Sequence, residues 1–218
     1  MSDLIPPLPL FSAFLLASTV LAVTPGPGVF YIVARSVTQG RAAGLSSVAG
    51  VALGNLANAL GASLGLAALF AVSSLAFTIV KYLGAAYLVY LGVKALRTPA
   101  GPVVASGEES FARTALRRIF VDGFVVALLN PKTALFFAAF LPQFIDAPTS
   151  PFMQTVTLGC VFVFIAAVTD SCYAVMAGAV RPWLQRATGV SAIGRYVSAG
   201  AFIGLGLLTA LSGQRTPK

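Results

Sequence analysis

Long apolar runs alternate with short polar connections along nearly the whole chain. A run of about 20 apolar residues is long enough to cross a bilayer as a helix. The six runs are at about residues 9–35, 43–72, 75–96, 118–141, 152–180 and 195–212. A hydrophilic stretch at about 97–117 separates the third run from the fourth. The pattern predicts an all-α integral membrane protein with six transmembrane helices, in which residues 1–218 form a single domain and this stretch is a linker.

Two of the runs are interrupted by residues that a helix tolerates poorly. The first contains Thr24-Pro25-Gly26-Pro27-Gly28 and the fourth contains Asn130-Pro131-Lys132. Proline removes a backbone donor and clashes with the preceding turn, and glycine also costs helix stability. Helices one and four are therefore predicted to be broken near the midplane. Since unwound backbone at that depth must be buried by protein or line a cavity, the candidate substrate-binding or gating residues are Pro25, Gly26, Pro27, Gly28, Asn130, Pro131 and Lys132.

The two halves of the chain resemble each other in the order of several residues. The matched pairs are Pro25 with Pro131, Phe14 with Phe120, Val20 with Val126, Phe30 with Phe136, Asn58 with Asp170, Ala85 with Ala199 and Gly92 with Gly206. With three helices in each half, the second half enters the membrane from the opposite side. The pattern predicts two inverted repeats, at about 9–96 and 118–212. Such repeats are typical of transporters, whose site lies at the repeat interface.

Composition supports a membrane protein and charge predicts its orientation. The chain is 58% hydrophobic and 9% charged, against about 25% charged residues in soluble domains. The net charge of +8 comes from bases between the apolar runs, without a basic stripe or RNA-binding signature, so nucleic acid is not expected as a partner. Ten bases follow helices one, three and five: Arg35, Arg41, Lys94, Arg97, Arg113, Arg117, Arg118, Arg181, Arg186 and Arg195. The opposite side has three, Lys81, Arg215 and Lys218. The positive-inside rule therefore places the ten bases in the cytoplasm and predicts a multi-pass protein with both termini outside.

Two charged residues fall near the bilayer centre when their depth is counted by helix rise, namely Lys132 and Asp170. A charge at that depth costs several kcal/mol unless it is paired or hydrated. The leading hypothesis is an ion pair between the two. The alternative is that Lys132 snorkels or binds carbonyls freed by the helix break while Asp170 ties helices together. Asp122, about one turn into helix four, is the other acid within a span, so Asp170 and Asp122 are the candidates for proton coupling or ion pairing.

Helix two carries two asparagines one turn apart, Asn55 and Asn58, among glycines spaced four residues apart. That glycine spacing lets helices pack closely, and asparagine hydrogen-bonds between helices. Asn58, matched with Asp170, is a candidate site residue, and Asn130 is placed to cap the half-helix after Pro131. The chain has no histidine, and its two cysteines lie on one predicted helix, too far apart for a disulfide with each other. Neither a metal nor a cofactor is expected.

Taken together, these residues resemble the LysE/RhtB family of amino-acid exporters over about residues 10–212. The likeness is carried by Thr24–Gly28, Gly40–Gly44, Gly50–Asn58, Lys81–Leu88, Gly92, Lys94, Gly123, Leu129–Lys132 and Phe140–Phe144. The resemblance implies export of amino acids or their derivatives across the cytoplasmic membrane, driven by the proton motive force. It also implies functional positions at Pro25–Gly28 and Asn130–Lys132. Its implied partners are an amino acid, protons and the lipid bilayer, with a homo-oligomer left open.

Two other classes of function compete with a secondary transporter. An intramembrane enzyme needs a nucleophile–base or metal constellation, and the sequence has neither, so no enzymatic activity is expected. A membrane scaffold or channel-like subunit has no use for paired broken helices and midplane charges. We therefore expect an exporter of a small zwitterionic amino acid. The half-helix start at Gly26–Gly28, with Lys132, suits a carboxylate, while Asp170, Asn58 and freed carbonyls suit an ammonium.

Overall fold

Helices account for nearly all of the chain that the structure describes. The computed structural model describes residues 4–64, 74–97, 109–146, 151–186 and 190–211, and no strand occurs within these ranges. The helices are α1 (Leu8–Val23), α2 (Pro27–Gln39), α3 (Arg41–Ser63), α4 (Ser74–Arg97), α5 (Glu109–Leu128), α6 (Pro131–Leu135), α7 (Pro151–Arg186) and α8 (Val190–Leu211). A π-helical turn, Phe136–Phe140, and a 3₁₀ turn, Leu141–Phe144, continue α6.

The membrane spans agree with the sequence in kind, and the described residues contain three to five of the six predicted spans. Among the described helices, α3, α4 and α7 are each long and apolar enough to cross a membrane. The number rises to five if α1–α2 and α5–α6 each form one bent span. The sixth predicted run corresponds to α8, a helix of 22 residues, of which the range Ala199–Leu211 is apolar. The chain is a multi-pass helical membrane protein.

Two predicted segments lie partly outside the described residues. These are the end of the second run, beyond residue 64, and the linker between residues 98 and 108. On the far side of the linker, α5 begins at Glu109, earlier than the predicted start at 118. Charged residues such as Arg117 and Arg118 belong to the first turns of this helix, because an amphipathic helix end extends beyond its apolar core.

The breaks in the first and fourth predicted helices occur where the sequence places them. α1 and α2 are bent by 46°, and α5 and the helix that follows Pro131 by 45°. In the first break Gly26 is extended and α2 begins at Pro27, while in the second Asn130 is extended and α6 begins at Pro131. Proline suits the first helical position because its missing N–H has no intrahelical partner there.

The π-helical turn after α6 was not predicted. Leu141 donates its N–H to the carbonyl of Phe136, five residues back, and the chain then tightens into the 3₁₀ turn. Pro142 lies at this junction and lacks the N–H that would continue the α-helical ladder, while its ring crowds the preceding turn. The widened turn accommodates that proline.

α3 lies between α5 and α7 and approaches α5 through glycine. A Cβ added at Gly50 would lie 2.1 Å from the carbonyl oxygen of Phe120, and one at Gly54 would lie 2.6 Å from that of Phe124. No side chain fits at these distances, so the helices meet backbone to backbone. The packing role predicted for these glycines is confirmed.

α4 packs mainly against α8, again at glycines. A Cβ at Gly92 would lie 2.5 Å from Ile203 Cγ1 and 3.0 Å from the carbonyl oxygen of Ala199. A Cβ at Gly206 would lie 2.8 Å both from the carbonyl oxygen of Ala85 and from Val89 Cγ2. The spacing that matches Gly92 with Gly206 also matches Ala85 with Ala199 and Val89 with Ile203. The two sets of contacts are therefore reciprocal.

Candidate substrate pocket

Both helix breaks open onto one pocket of about 40 Å³, enough for a few water molecules. Its walls come from α1, α2, α3, α6 and α7. Five of the residues selected from the sequence line it: Gly26, Gly28, Asn130, Lys132 and Asp170. Pro25, Pro27 and Pro131 adjoin these residues in the chain, while Asn58 and Asp122 are engaged elsewhere. The structure thus brings together the central part of the predicted site.

The start of α2 presents free backbone donors to this pocket. The first backbone bond of the helix runs from the N–H of Phe30 to the carbonyl of Gly26, so the N–H groups of Gly28 and Val29 have no partner within the helix. Both residues line the pocket, and Gly26 provides no side chain to cap them. A helix start with free donors and a partial positive charge favours an anion.

Lys132 is held by the end of α1 and not by an acid. Its Nζ donates to the carbonyl oxygen of Leu21 at 2.8 Å and to that of Thr24 at 2.5 Å. The predicted direct ion pair with Asp170 is not formed, since no contact of 4.0 Å or less joins the two charged groups. The physical reason is that the break leaves the last carbonyls of α1 without helical partners, and a cation is favoured at a helix C-terminus.

Asp170 faces the same pocket from α7. The residue is 5% exposed, and among the described residues its carboxylate has neither a hydrogen-bond donor nor a cation within ion-pair distance. The tie between helices comes instead from Tyr173, whose hydroxyl donates to the carbonyl of Val23 at 2.9 Å. The carboxylate of Asp170 is thus left available to a ligand.

The two asparagines of α3 have the reverse of the expected roles, since Asn55 and not Asn58 lines the pocket. Asn58 lies outside the pocket lining and donates its Nδ2–H to the carbonyl of Ala127 at 2.9 Å, near the end of α5. Asn55 lines the pocket, is 5% exposed, and its Oδ1 has no hydrogen-bond partner in the described part of the chain. Three residues along a helix turn it by about 300°, so the two side chains share a broad face. Sequence spacing alone does not tell which of them reaches the pocket.

Asn130 caps α6 as predicted. Its side-chain oxygen accepts the N–H of Lys132 at 3.1 Å, which satisfies one of the donors that a helix start leaves open. Thr133, which the sequence did not single out, follows in the same turn and also lines the pocket. The cap fixes the direction in which α6 leaves the break and hence the position of the lysine.

Asp122 forms a separate buried cluster. Its Oδ2 lies 3.2 Å from Arg35 Nη2 and 3.3 Å from Lys94 Nζ, and its Oδ1 accepts the Tyr87 hydroxyl at 3.0 Å. These partners belong to α2 and α4, so one carboxylate joins three helices. Asp122 is buried and paired, and it does not line the pocket.

Comparisons with known proteins give a consistent result. A family model described as "LysE type translocator" matches residues 19–213. The "Homoserine/homoserine lactone efflux protein" of Salmonella typhimurium is 34% identical over 174 residues, covering 79% of this chain and 82% of the relative. The protein of the same name from Salmonella typhi is 33% identical with the same coverage. A Vibrio cholerae protein named "Uncharacterized membrane protein" is 30% identical over 198 residues, covering 91% and 95%. No solved structure matches the chain.

Proposed function

Because the chain belongs to the LysE family of translocators, we propose that it is a secondary transporter that exports a small amino acid, or a derivative of one, across the cytoplasmic membrane. Relatives named homoserine/homoserine lactone efflux proteins support a cargo of this kind. The observation that carries the proposal is the pocket between the two breaks, where an anion site and an unpaired carboxylate face the same space.

The two ends of a zwitterion match the two sides of this pocket. The substrate carboxylate binds at the start of α2, where Gly28 and Val29 line the cavity and their N–H groups have no partner within the helix. The substrate ammonium binds Asp170 on the opposite wall. Opposite charges held at separate points orient the cargo and exclude ligands that carry only one of them.

Lys132 strengthens the carboxylate side without leaving its place. A lysine ammonium has three donors, and two of them bind the carbonyls of Leu21 and Thr24. The third is available to the substrate. Since the lysine is anchored before binding, little side-chain entropy is lost when the substrate carboxylate arrives.

Coupling to protons is assigned to Asp170. The carboxylate is neutralised either by the substrate ammonium or by a proton, and the two compete for the same oxygens. An unneutralised carboxylate is costly in the membrane interior. The protein therefore changes between its inward-facing and outward-facing states only when Asp170 has bound either the substrate ammonium or a proton. Outward movement of an amino acid is thereby exchanged for inward movement of a proton.

The architecture proposed for this cycle is a pair of inverted three-helix repeats. The reciprocal contacts of α4 and α8 support it, since a two-fold relation makes such contacts occur in pairs. The breaks support it as well. Matching Pro25 with Pro131 also matches Gly26 with Lys132, and a Cβ on Gly26 would lie 3.1 Å from Lys132 Cδ. Equivalent residues that meet each other lie on the two-fold axis, where transporters of this kind bind substrate.

The Asp122 cluster is assigned to the cytoplasmic gate, which its contacts with Arg35, Lys94 and Tyr87 would hold shut. It lies toward the ends of α2 and α4, beside the basic connections that the positive-inside rule assigns to the cytoplasm, which leaves both termini outside. The residues that match Asp122, Arg35 and Lys94 in the other half are Leu16, Leu141 and Leu208. At these three matched positions the charged cluster thus has leucines as its counterpart, and we assign them to an apolar gate at the opposite end.

Transport by purified protein in liposomes tests the proposal. Vesicles loaded with labelled homoserine should release it faster when a pH gradient is imposed than when it is absent. Asp170→Asn should remove the response to the gradient, and Lys132→Gln should raise the substrate concentration needed for half-maximal flux. Lys81→Gln, which removes a buried lysine of α4 outside the pocket, is the matched control. The proposal fails if no amino acid of a labelled panel moves faster than in protein-free vesicles.

A further inference from the structure

Asn55 is a buried polar side chain whose amide oxygen is not hydrogen-bonded by the described part of the protein. Its Oδ1 has no hydrogen-bond partner within the described residues, and only 5% of the residue is exposed. A buried amide oxygen without a partner is costly, because it loses its hydrogen bonds to water and gains none from the protein. Each such group in a native structure calls for an explanation, and a bound ligand is one of the few available.

The position of this amide indicates which part of a ligand it meets. The charged groups of the proposed substrate are assigned to α2 with Lys132 and to Asp170 on α7, whereas Asn55 approaches the pocket from α3. Apolar side chains form much of the remaining lining, including Val29, Val51 and Phe162. In such surroundings the polar partner of Asn55 is an atom in the side chain of the substrate.

We propose that Asn55 determines the specificity of the pocket, by hydrogen-bonding a polar group in the side chain of the exported amino acid. This inference rests on the function proposed above and names the substrate class within it. An amide both accepts and donates, so it fits a hydroxyl, which does the same. The substrate class is thus small amino acids with a hydroxyl or similar polar group near the end of a short side chain.

The neighbouring Asn58 provides an internal control. It lies one turn away on the same helix and is also an asparagine, but its Nδ2–H is bound to the carbonyl of Ala127 and it does not line the pocket. Replacing either residue removes one amide from α3. Only the replacement of Asn55 removes a group that faces the cargo.

Competition between homoserine and norvaline tests the inference, because norvaline carries a methyl group where homoserine carries its hydroxyl. Both labelled compounds are loaded into the same vesicles, so their ratio of efflux rates does not depend on the amount of protein. We expect wild type to favour homoserine by about 10- to 100-fold, the range for leaving a buried polar group unpaired. Asn55→Leu should bring the ratio within about threefold of unity, since the apolar pocket then treats the two alike. Asn58→Leu should keep the wild-type ratio.

The possible results separate this inference from the proposed function. If wild type exports both compounds equally, or if Asn55→Leu keeps the preference, the role of Asn55 is overturned while export stands. If no amino acid is exported, the proposed function fails and the inference fails with it. Should Asn55→Leu be inactive, thermal stabilisation of the purified variant by each compound gives the same comparison. Equal stabilisation supports the role, and a retained preference for homoserine contradicts it.

Discussion

The two helix breaks bend by almost the same angle, but the first has an uncapped helix start and the second a capped one. At the first break the start of α2 has no side-chain cap, and the pocket is lined by Gly28 and Val29, whose N–H groups have no partner within the helix. At the second, the side chain of Asn130 closes the start of α6 and Lys132 reaches across to the carbonyls of α1. The first break thus has free donors for a ligand. At the second break, Asn130 occupies a donor at the start of α6, and Lys132 places its positive charge beside the first break.

This difference shows that two helix breaks with nearly the same bend can present different chemical groups to one pocket. Each break requires only a proline at the first helical position and an extended residue before it. Whether the break can bind a ligand then depends on whether side chains hydrogen-bond to the N–H and carbonyl groups that a helix end leaves without partners. The informative substitutions are therefore those that add or remove a hydrogen-bond partner at a helix end while the bend between the helices stays the same.

Exchange of the two pocket charges should have the largest effect. In Lys132→Asp with Asp170→Lys, a carboxylate would face the carbonyl oxygens of Leu21 and Thr24, which repel it. We expect no measurable homoserine efflux from vesicles that contain the double variant. If a direct ion pair were the essential feature, the exchange would restore transport that either single charge reversal abolishes, and that result would contradict the carbonyl anchor.

Capping the open break should come next in size. In Gly26→Asn, the new side chain occupies the position that Asn130 has at the other break, and its oxygen should accept the N–H of Gly28. Loss of hydrogen bonds to a charged ligand group should weaken homoserine binding by about 10- to 100-fold, measured by isothermal titration. Protein stability should be retained, since an asparagine cap is favourable. Unchanged affinity in this variant would mean that the start of α2 does not hold the carboxylate.

A paired comparison of two alanine variants should give a smaller effect. The added Cβ in Gly26→Ala lies 3.1 Å from Lys132 Cδ, whereas that in Gly28→Ala lies 3.4 Å from Val51 Cγ1, an ordinary contact. Because the lysine side chain can yield at a modest cost, we expect up to about tenfold weaker binding for Gly26→Ala. Gly28→Ala should stay within about twofold of wild type because its contact is unstrained. The order of the two affinities is the result to measure, and the reverse order would contradict the contact with Lys132.

Removal of the cap at the second break should have the smallest effect on binding. Asn130→Ala loses one N-cap hydrogen bond, which typically costs about 1 kcal/mol of stability. We expect a lower thermal unfolding temperature with homoserine affinity changed little, while Asn130→Asp should restore the stability. A large loss of affinity at unchanged stability would show that this side chain binds substrate directly.

Local backbone chemistry made the breaks predictable from the sequence. Prolines, glycines and a capping asparagine act on their own segment, so the positions of both breaks and the cap on α6 followed without knowledge of the fold. The close packing at Gly50 and Gly54 also followed, because small residues at this spacing have one common use in membranes. The irregular turn before Pro142 was foreseeable in principle from the missing donor.

The partners of the pocket residues were less accessible to sequence reasoning. Lys132 binds carbonyls at the end of α1, and that contact depends on how two distant segments approach each other. Asn55 and Asn58 share a broad face of α3, and only the placement of α5 and α7 around that helix decides their roles. In each case the missing information was tertiary.

The anchoring of α1 has a consequence for how the protein is made. Three carbonyls near the end of α1, those of Leu21, Val23 and Thr24, receive their side-chain donors from Lys132 and Tyr173. Both donors belong to the second half of the chain, which the ribosome synthesises later. Until those residues enter the membrane, the first half carries bare polar backbone in a solvent that offers it no hydrogen bonds. The second half thus supplies the donors that the end of α1 needs, and a chain interrupted between the two halves leaves these carbonyls without them.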